Sequence, residues 1–259
     1  MSVLRDFLQR NQIVSKDALP LVHSTEAYHL KKLMKSGKII PTPCNFFRGE
    51  QLSYFFVGRP AFKRSLPKEP EYWELPMCII MDFRAFKPKR IFPFDSGAFK
   101  SGIYPKFISM MKLDDFEVAN DASAAQKLIG TFFVSNRNYY VLHNRPRDEF
   151  ESRFDVDVLN EEIKALHRLI EYKHDNIDDR RFSIEFQCDR DVVLCQHQVL
   201  AIVIPETYVE SKEVVRYIET TLGATVITYP VYPLKKDYFY YAIYEKVDNF
   251  FRQKRYYNV

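Results

Sequence analysis

Leu21-Val-His-Ser-Thr25 and Leu52-Ser-Tyr-Phe-Phe-Val-Gly-Arg-Pro-Ala-Phe62 bracket the stretch on which the reading of this chain turns. The first is a short apolar run that delivers His23, Ser24 and Thr25 to its tip. The second alternates as a strand over residues 52–57, is ended by Gly58 and carries Tyr54, Phe55 and Phe56 into a tight turn with Arg59 and Pro60. Between them lies a helical stretch at 26–36, with Thr25 as N-cap and Tyr28, Leu30, Leu33 and Met34 as its inner face. Gly37 is its C-terminal stop. A His, two hydroxyls, an aromatic cluster and an Arg so close together point to a small-molecule site, because a core gains nothing from the polar members.

Outward from this stretch, helices and short strands mix. Val3, Leu4, Phe7 and Leu8 make residues 2–12 an amphipathic helix, and Ser15 or Asp17 starts a turn into a strand at 19–23. Residues 65–76 form a Pro- and Glu-rich loop around Trp73, and the apolar run Pro76 to Phe83 reads as a central strand. Amphipathic helices are expected at 105–117, at 121–133 with Ala124, Ala125, Leu128 and Ile129 inward, and at 157–172 with Val158, Leu159, Ile163, Leu166, Leu169 and Ile170 inward. Val134 to Pro146 reads as an aromatic loop and residues 173–181 as a charged break. Hairpin-like strands at 182–187 and 192–194, a strand at 200–205, a helix at 212–222 and strands at 224–229 and 238–244 follow, then a basic helix at 245–257. The pattern indicates a single α+β domain over residues 1–259.

Composition excludes several classes. An apolar share of 46% with 28% charged residues is that of a soluble globular chain. Seven glycines, with no G-x-G-x-x-G and no G-x-x-x-x-G-K-[ST], leave no phosphate-cradling loop. A net charge of +4 permits a nucleic-acid partner without requiring one. Cys44, Cys78, Cys188 and Cys195 form no C-x-x-C pair, and the histidines show no metal spacing, so reduced thiols and no metal are expected. No signal pattern and no run of about 18 apolar residues is present, so a cytoplasmic protein without membrane contact is expected.

His23-Ser-Thr25 resembles the first-strand motif of the ADP-ribosyltransferase superfamily, and Tyr54, 31 residues later, falls where that family keeps its second-motif Tyr. Tyr54-Phe-Phe-Val-Gly-Arg-Pro-Ala-Phe62 is similar to a segment of the DarT toxins, which modify DNA bases using NAD, although Gly58-Arg-Pro-Ala61 departs from their Pro-Arg-Ser-Pro. The resemblance implies a split β-sandwich of two mostly antiparallel sheets with flanking helices, and an insertion around 65–175. It implies NAD as co-substrate without a metal, with His23 on the adenine-side ribose, Thr25 and Ser24 near the carboxamide, and Tyr54 and Phe55 as stacking faces. It also implies catalytic roles for Arg59 and for a late strand Glu. Glu185 in Phe182-Ser-Ile-Glu-Phe-Gln187 fits, since alternation sets Ser183, Glu185 and Gln187 on one face. The expected acceptor is RNA or single-stranded DNA, stacked on aromatics of Phe132–Tyr140. A cellular restraint such as an antitoxin protein is implied as well.

Taken singly, each residue also has a structural reading: a satisfied His, core aromatics, a surface Arg and an edge-strand Glu. Phe94-Asp-Ser-Gly97 reads as an ordinary turn. Transfer to protein, NAD hydrolysis and a non-enzymatic nucleic-acid-binding module stay open as alternatives.

Overall fold

The computed structural model of the chain describes residues 2–11, 13–62, 66, 69–85, 87–118, 122–172, 182–232 and 237–258. The charged break expected at 173–181 lies outside them. The strands are β1 (Leu21–Glu26), β2 (Lys38–Ile39), β3 (Thr42–Pro43), β4 (Gln51–Val57), β5 (Pro76–Met81), β6 (Arg90–Phe92), β7 (Glu185–Cys188), β8 (Val192–Val193), β9 (Val199–Pro205) and β10 (Thr225–Tyr229). Eight form one sheet in the order β10-β9-β5-β1-β4-β7-β6, with β3 also paired to β4. Among the described residues, only β9 and β10 pair in parallel. A second, small sheet joins β2 to β8. The fold is α+β with a mostly antiparallel sheet.

The apolar run at 76–81 is central, as its composition demands. All six residues of β5 are buried, with β1 on one side and β9 on the other. β1 pairs with β5 along its whole length, Leu21 opposite Met81 and Glu26 opposite Pro76. The expected strand at 19–23 therefore starts later and runs farther. His23, Ser24 and Thr25 lie within it, and Thr25 does not cap a helix. A 3₁₀ turn at Ala27–His29 precedes α2 (Leu30–Ser36), which ends at Gly37 with φ +63°. That turn leaves Tyr28 70% exposed, while Leu30 and Leu33 are buried.

The remaining helices are α1 (Val3–Arg10), α3 (Ser96–Lys100), α4 (Lys106–Ser109), α5 (Ala122–Phe132), α6 (Asn136–Tyr140), α7 (Arg147–Arg153), α8 (Glu161–Glu171), α9 (Lys212–Arg216) and α10 (Asp237–Gln253). The α1 face of Leu4, Phe7 and Leu8 is buried as expected, as are Ala124, Ala125, Leu128 and Ile129 of α5. The stretch expected as a helix at 105–117 splits into α4 and a 3₁₀ turn at Leu113–Phe116.

Four other expectations are corrected. Residues 238–244 are helical within α10, because Phe239, Ala242, Ile243, Val247, Phe250 and Phe251 recur at helical spacing and are all buried. That period outweighs the strand preference of the aromatics. The aromatic loop at 134–146 contains α6. The best-patterned helix, α8, starts only at Glu161, leaving Val158 and Leu159 each 75% exposed. β7 and β8 are not a hairpin, since β7 pairs with β4 and β6, and β8 with β2.

Gly130 shows how closely α5 sits against the segment 13–15. A Cβ there would lie 2.8 Å from the Ile13 carbonyl oxygen and 3.0 Å from the Ser15 backbone nitrogen. Ser15 N–H meanwhile donates to the Gln126 carbonyl at 3.0 Å, which pins the segment. In an open helix Gly→Ala stabilises by about 1 kcal/mol. Here Gly130→Ala is expected to destabilise by on the order of 1–3 kcal/mol through overpacking, and a higher urea midpoint in the variant would contradict this packing.

Candidate functional site

A cleft of about 830 Å³ opens where β1 and β4 leave the core, walled by α2, the Trp73 loop and Tyr240 of α10. The volume is that of small-molecule sites. His23, Ser24, Thr25 and Tyr54 all line it. β1 makes this possible, because its first residues are buried while His23 to Glu26 are only half-buried.

His23 is locked by register. Its Nδ1 lies 2.9 Å from the Tyr54 carbonyl oxygen, which can only accept, so Nδ1 carries the proton. Burial lowers the imidazole pKa, the Tyr54 carbonyl partly offsets this, and His29 lowers it further. The ring is held neutral, with Nε2 as an acceptor. Its face packs on Phe55, centroids 5.2 Å apart. The Ser24 and Ser53 hydroxyls line the cleft, buried and with no hydrogen-bond partner among the described residues. Thr25 Oγ1 is engaged with His29 Nδ1 at 2.6 Å. Glu26 lies 3.5 Å from the same nitrogen, so the three groups do not form a relay through the ring.

Tyr54 joins the cleft to the interior. Its hydroxyl lies 2.9 Å from Cys44 Sγ, which also accepts from the Phe46 and Phe47 backbone N–H groups. Burial raises the phenol pKa well above its usual value, the Cys44 contact adds to this, and the Glu185 and Asp95 carboxylates push the same way. Glu185 does not line the cleft. It is fully buried on β7, opposite Phe56, while Tyr54 sits opposite Gln187 on the same face. Its Oε1 accepts from Ser96 Oγ at 2.6 Å and from Gln187 Nε2 at 2.8 Å.

No family model and no curated protein matches the chain. Among the described residues, no three His, Cys, Asp or Glu gather as a metal site. None of the described helices is long and apolar enough to cross a membrane.

Two of the expected site residues, Phe55 and Arg59, do not line the cleft. Phe55 is fully buried in the sheet and supports His23 from behind. Arg59 is buried and turned away from the cleft by Gly58, whose φ is +64°. Its guanidinium donates to Ser183 Oγ at 3.1 Å, to the Tyr139 carbonyl at 3.5 Å and to the Tyr140 carbonyl. It also sits 5.3 Å from the Tyr244 ring centroid. These bonds tie the end of β4 to α6. The residues missed from sequence are Ser53, Trp73 and Tyr240 in the cleft and Ser96 beside Glu185. Strand alternation offered a signal for Ser53, and the Asp95-Ser-Gly turn offered one for Ser96.

Two measurements follow from these placements. Arg59→Ala removes the donor shared by three groups and is expected to cost on the order of 3 kcal/mol. The loss should appear in the urea midpoint, and an unchanged midpoint would contradict the structural role. His23, with a folded pKa below the ordinary 6.5, takes up its proton later than the unfolded chain does. Stability is thus full above about pH 6.5 and is lost as pH falls below it. His23→Gln should flatten that part of the stability–pH curve, and an equal acid loss in both proteins would refute the neutral buried imidazole.

Proposed function

We propose that the chain is an NAD-dependent mono-ADP-ribosyltransferase with the split-sheet fold of that superfamily, acting on bases of single-stranded nucleic acid. One observation carries the reading: His23 and Tyr54, on neighbouring strands, share a nucleotide-sized cleft with the unpartnered hydroxyls of Ser24 and Ser53. A neutral imidazole with a bare Nε2 suits a ribose hydroxyl donor. The two serine hydroxyls suit a carboxamide or a second ribose hydroxyl, and the Tyr54 ring offers a face to nicotinamide.

In the reaction the bond between ribose C1 and the nicotinamide nitrogen breaks, and nicotinamide leaves with the electron pair. The acceptor nitrogen or oxygen bonds to C1 and gives up a proton. Positive charge at C1 is stabilised by a nearby carboxylate. Glu185 is the candidate, one strand from the cleft. Glu185 is fully buried and outside the cleft lining, so its carboxylate meets the sugar only once the side chains between them have moved.

The acceptor surface differs from the one expected. Phe132, Phe133, Tyr139 and Tyr140 are all buried and cannot stack on bases. At the cleft mouth, Tyr28, Tyr72 and Trp73 are exposed, with Tyr72 and Trp73 edge-to-face at 4.9 Å. Lys31, Lys32 and Lys35 are exposed on the adjoining helix. Aromatic faces beside cations form a platform for unpaired bases. A base modifier of this kind needs restraint in its own cell, which keeps an antitoxin partner within the proposal.

The purified chain should release nicotinamide from labelled NAD and place label on RNA or single-stranded DNA. Glu185→Gln should reduce turnover by roughly 100-fold or more without lowering the affinity for NAD. Trp73→Ala should weaken acceptor binding by about 1–3 kcal/mol. Nicotinamide release without labelled acceptor would make the protein an NAD hydrolase. Absence of NAD binding by calorimetry would overturn the reading.

A further inference from the structure

The surroundings of Glu185 form a chain of hydrogen bonds in which each donor is fixed by the next residue. Glu50 accepts from Arg90 Nη1 at 3.2 Å and from Nη2 at 2.5 Å, and the guanidinium lies 4.0 Å from the Phe47 ring centroid. Lys89 Nζ supports the same Glu50 at 2.9 Å. So held, Arg90 donates through Nε to Gln187 Oε1 at 2.8 Å. Arginine has no acceptor, so the Gln187 amide must present its oxygen to Arg90 and its NH₂ to the other side. That NH₂ donates to Ser96 Oγ at 2.8 Å and to Glu185 Oε1 at 2.8 Å. Because Ser96 Oγ already accepts from Gln187, its own proton goes to Glu185 Oε1 at 2.6 Å.

Glu185, Gln187 and Ser96 are all fully buried. A flipped Gln187 amide would put its carbonyl against the carboxylate and its NH₂ against a guanidinium. Arg90 thus sets, two bonds away, the direction of the donors at Glu185. Tyr54 is an ionisable neighbour of this carboxylate, whose charge helps to raise the phenol pKa. Hydrogen bonds to the ionised form favour that form.

The geometry points to Ser96 and Arg90 as positioning residues that keep the Glu185 carboxylate ionised and in one orientation, Ser96 directly and Arg90 through Gln187. The catalytic part of this rests on the ADP-ribosyl-transfer reading; the electrostatic part does not.

The first test follows the Glu185 carboxyl by carbon NMR across pH in the full-length chain. Ser96→Ala removes a donor to the ionised form, so the titration midpoint should move up, and Arg90→Gln should move it the same way. Ser96→Thr, which keeps the hydroxyl, should stay near the parent and guards against misfolding as the cause. An unmoved midpoint in Ser96→Ala overturns the proposal whether or not the chain consumes NAD. The second test is NAD turnover. Ser96→Ala and Arg90→Gln should lower kcat by about 100-fold, leave KM for NAD unchanged and raise the acid limb of the kcat–pH profile, with Ser96→Thr recovering most of kcat. A raised KM with unchanged kcat and profile would overturn the positioning role. Full turnover in Glu185→Gln would overturn the catalytic reading of Glu185, while the NMR result still decides the electrostatic one.

Discussion

Pairing of β1 on both of its edges is the constraint on which the rest of the molecule depends. Antiparallel strands match residue to residue, so once Leu21 faces Val57 and Met81, every later position on β1 is fixed. His23 must meet the Tyr54 carbonyl, and Ser24 must come beside Ser53 and Tyr54 in the cleft. A slip of one residue would send the imidazole to the other face of the sheet. The fully buried β5 guards against such a slip, because moving β1 would also move its apolar partners against a packed core.

A second consequence concerns polar groups in the interior. Arg59, Glu185, Gln187, Ser96 and Arg145 are all buried, and each is costly unless satisfied. The chain handles them by two different means. Arg59 and Arg145 each give two bonds to backbone carbonyls, Arg145 to those of Gly130 and Thr131, and one to a side chain, Ser183 and Glu149 respectively. Glu185 is surrounded by side chains instead, and its bonds run sideways to a half-buried ion pair at Glu50.

Much of this was legible in the sequence where one period dominated. The central β5, the β4 alternation, the α5 face and Gly37 all declared themselves, as did the placing of His23 and Tyr54 on one cleft. Failures came where two signals competed. Aromatics at 238–244 favour a strand singly but repeat as a helix, and the helix won. Thr25 has the chemistry of a cap, but the strand to which it belongs still had a partner in Pro76. Arg59 was legible as a special residue but its burial outside the cleft was not, because a sequence does not reveal which way a chain turns after a glycine with positive φ. The Arg90–Gln187–Ser96 chain joins residues nearly a hundred positions apart, and no local pattern announces it.

The tie between His23 and Tyr54 is made by the carbonyl of residue 54, not by its side chain. The side chain is meanwhile engaged elsewhere, with the Cys44 thiol. The tautomer of the imidazole is therefore inherited from strand alignment and is indifferent to which amino acid occupies position 54. The phenol is free to be changed, lost or moved in the course of descent without disturbing the histidine beside it. The two contacts of residue 54, one from its carbonyl and one from its side chain, can thus vary independently.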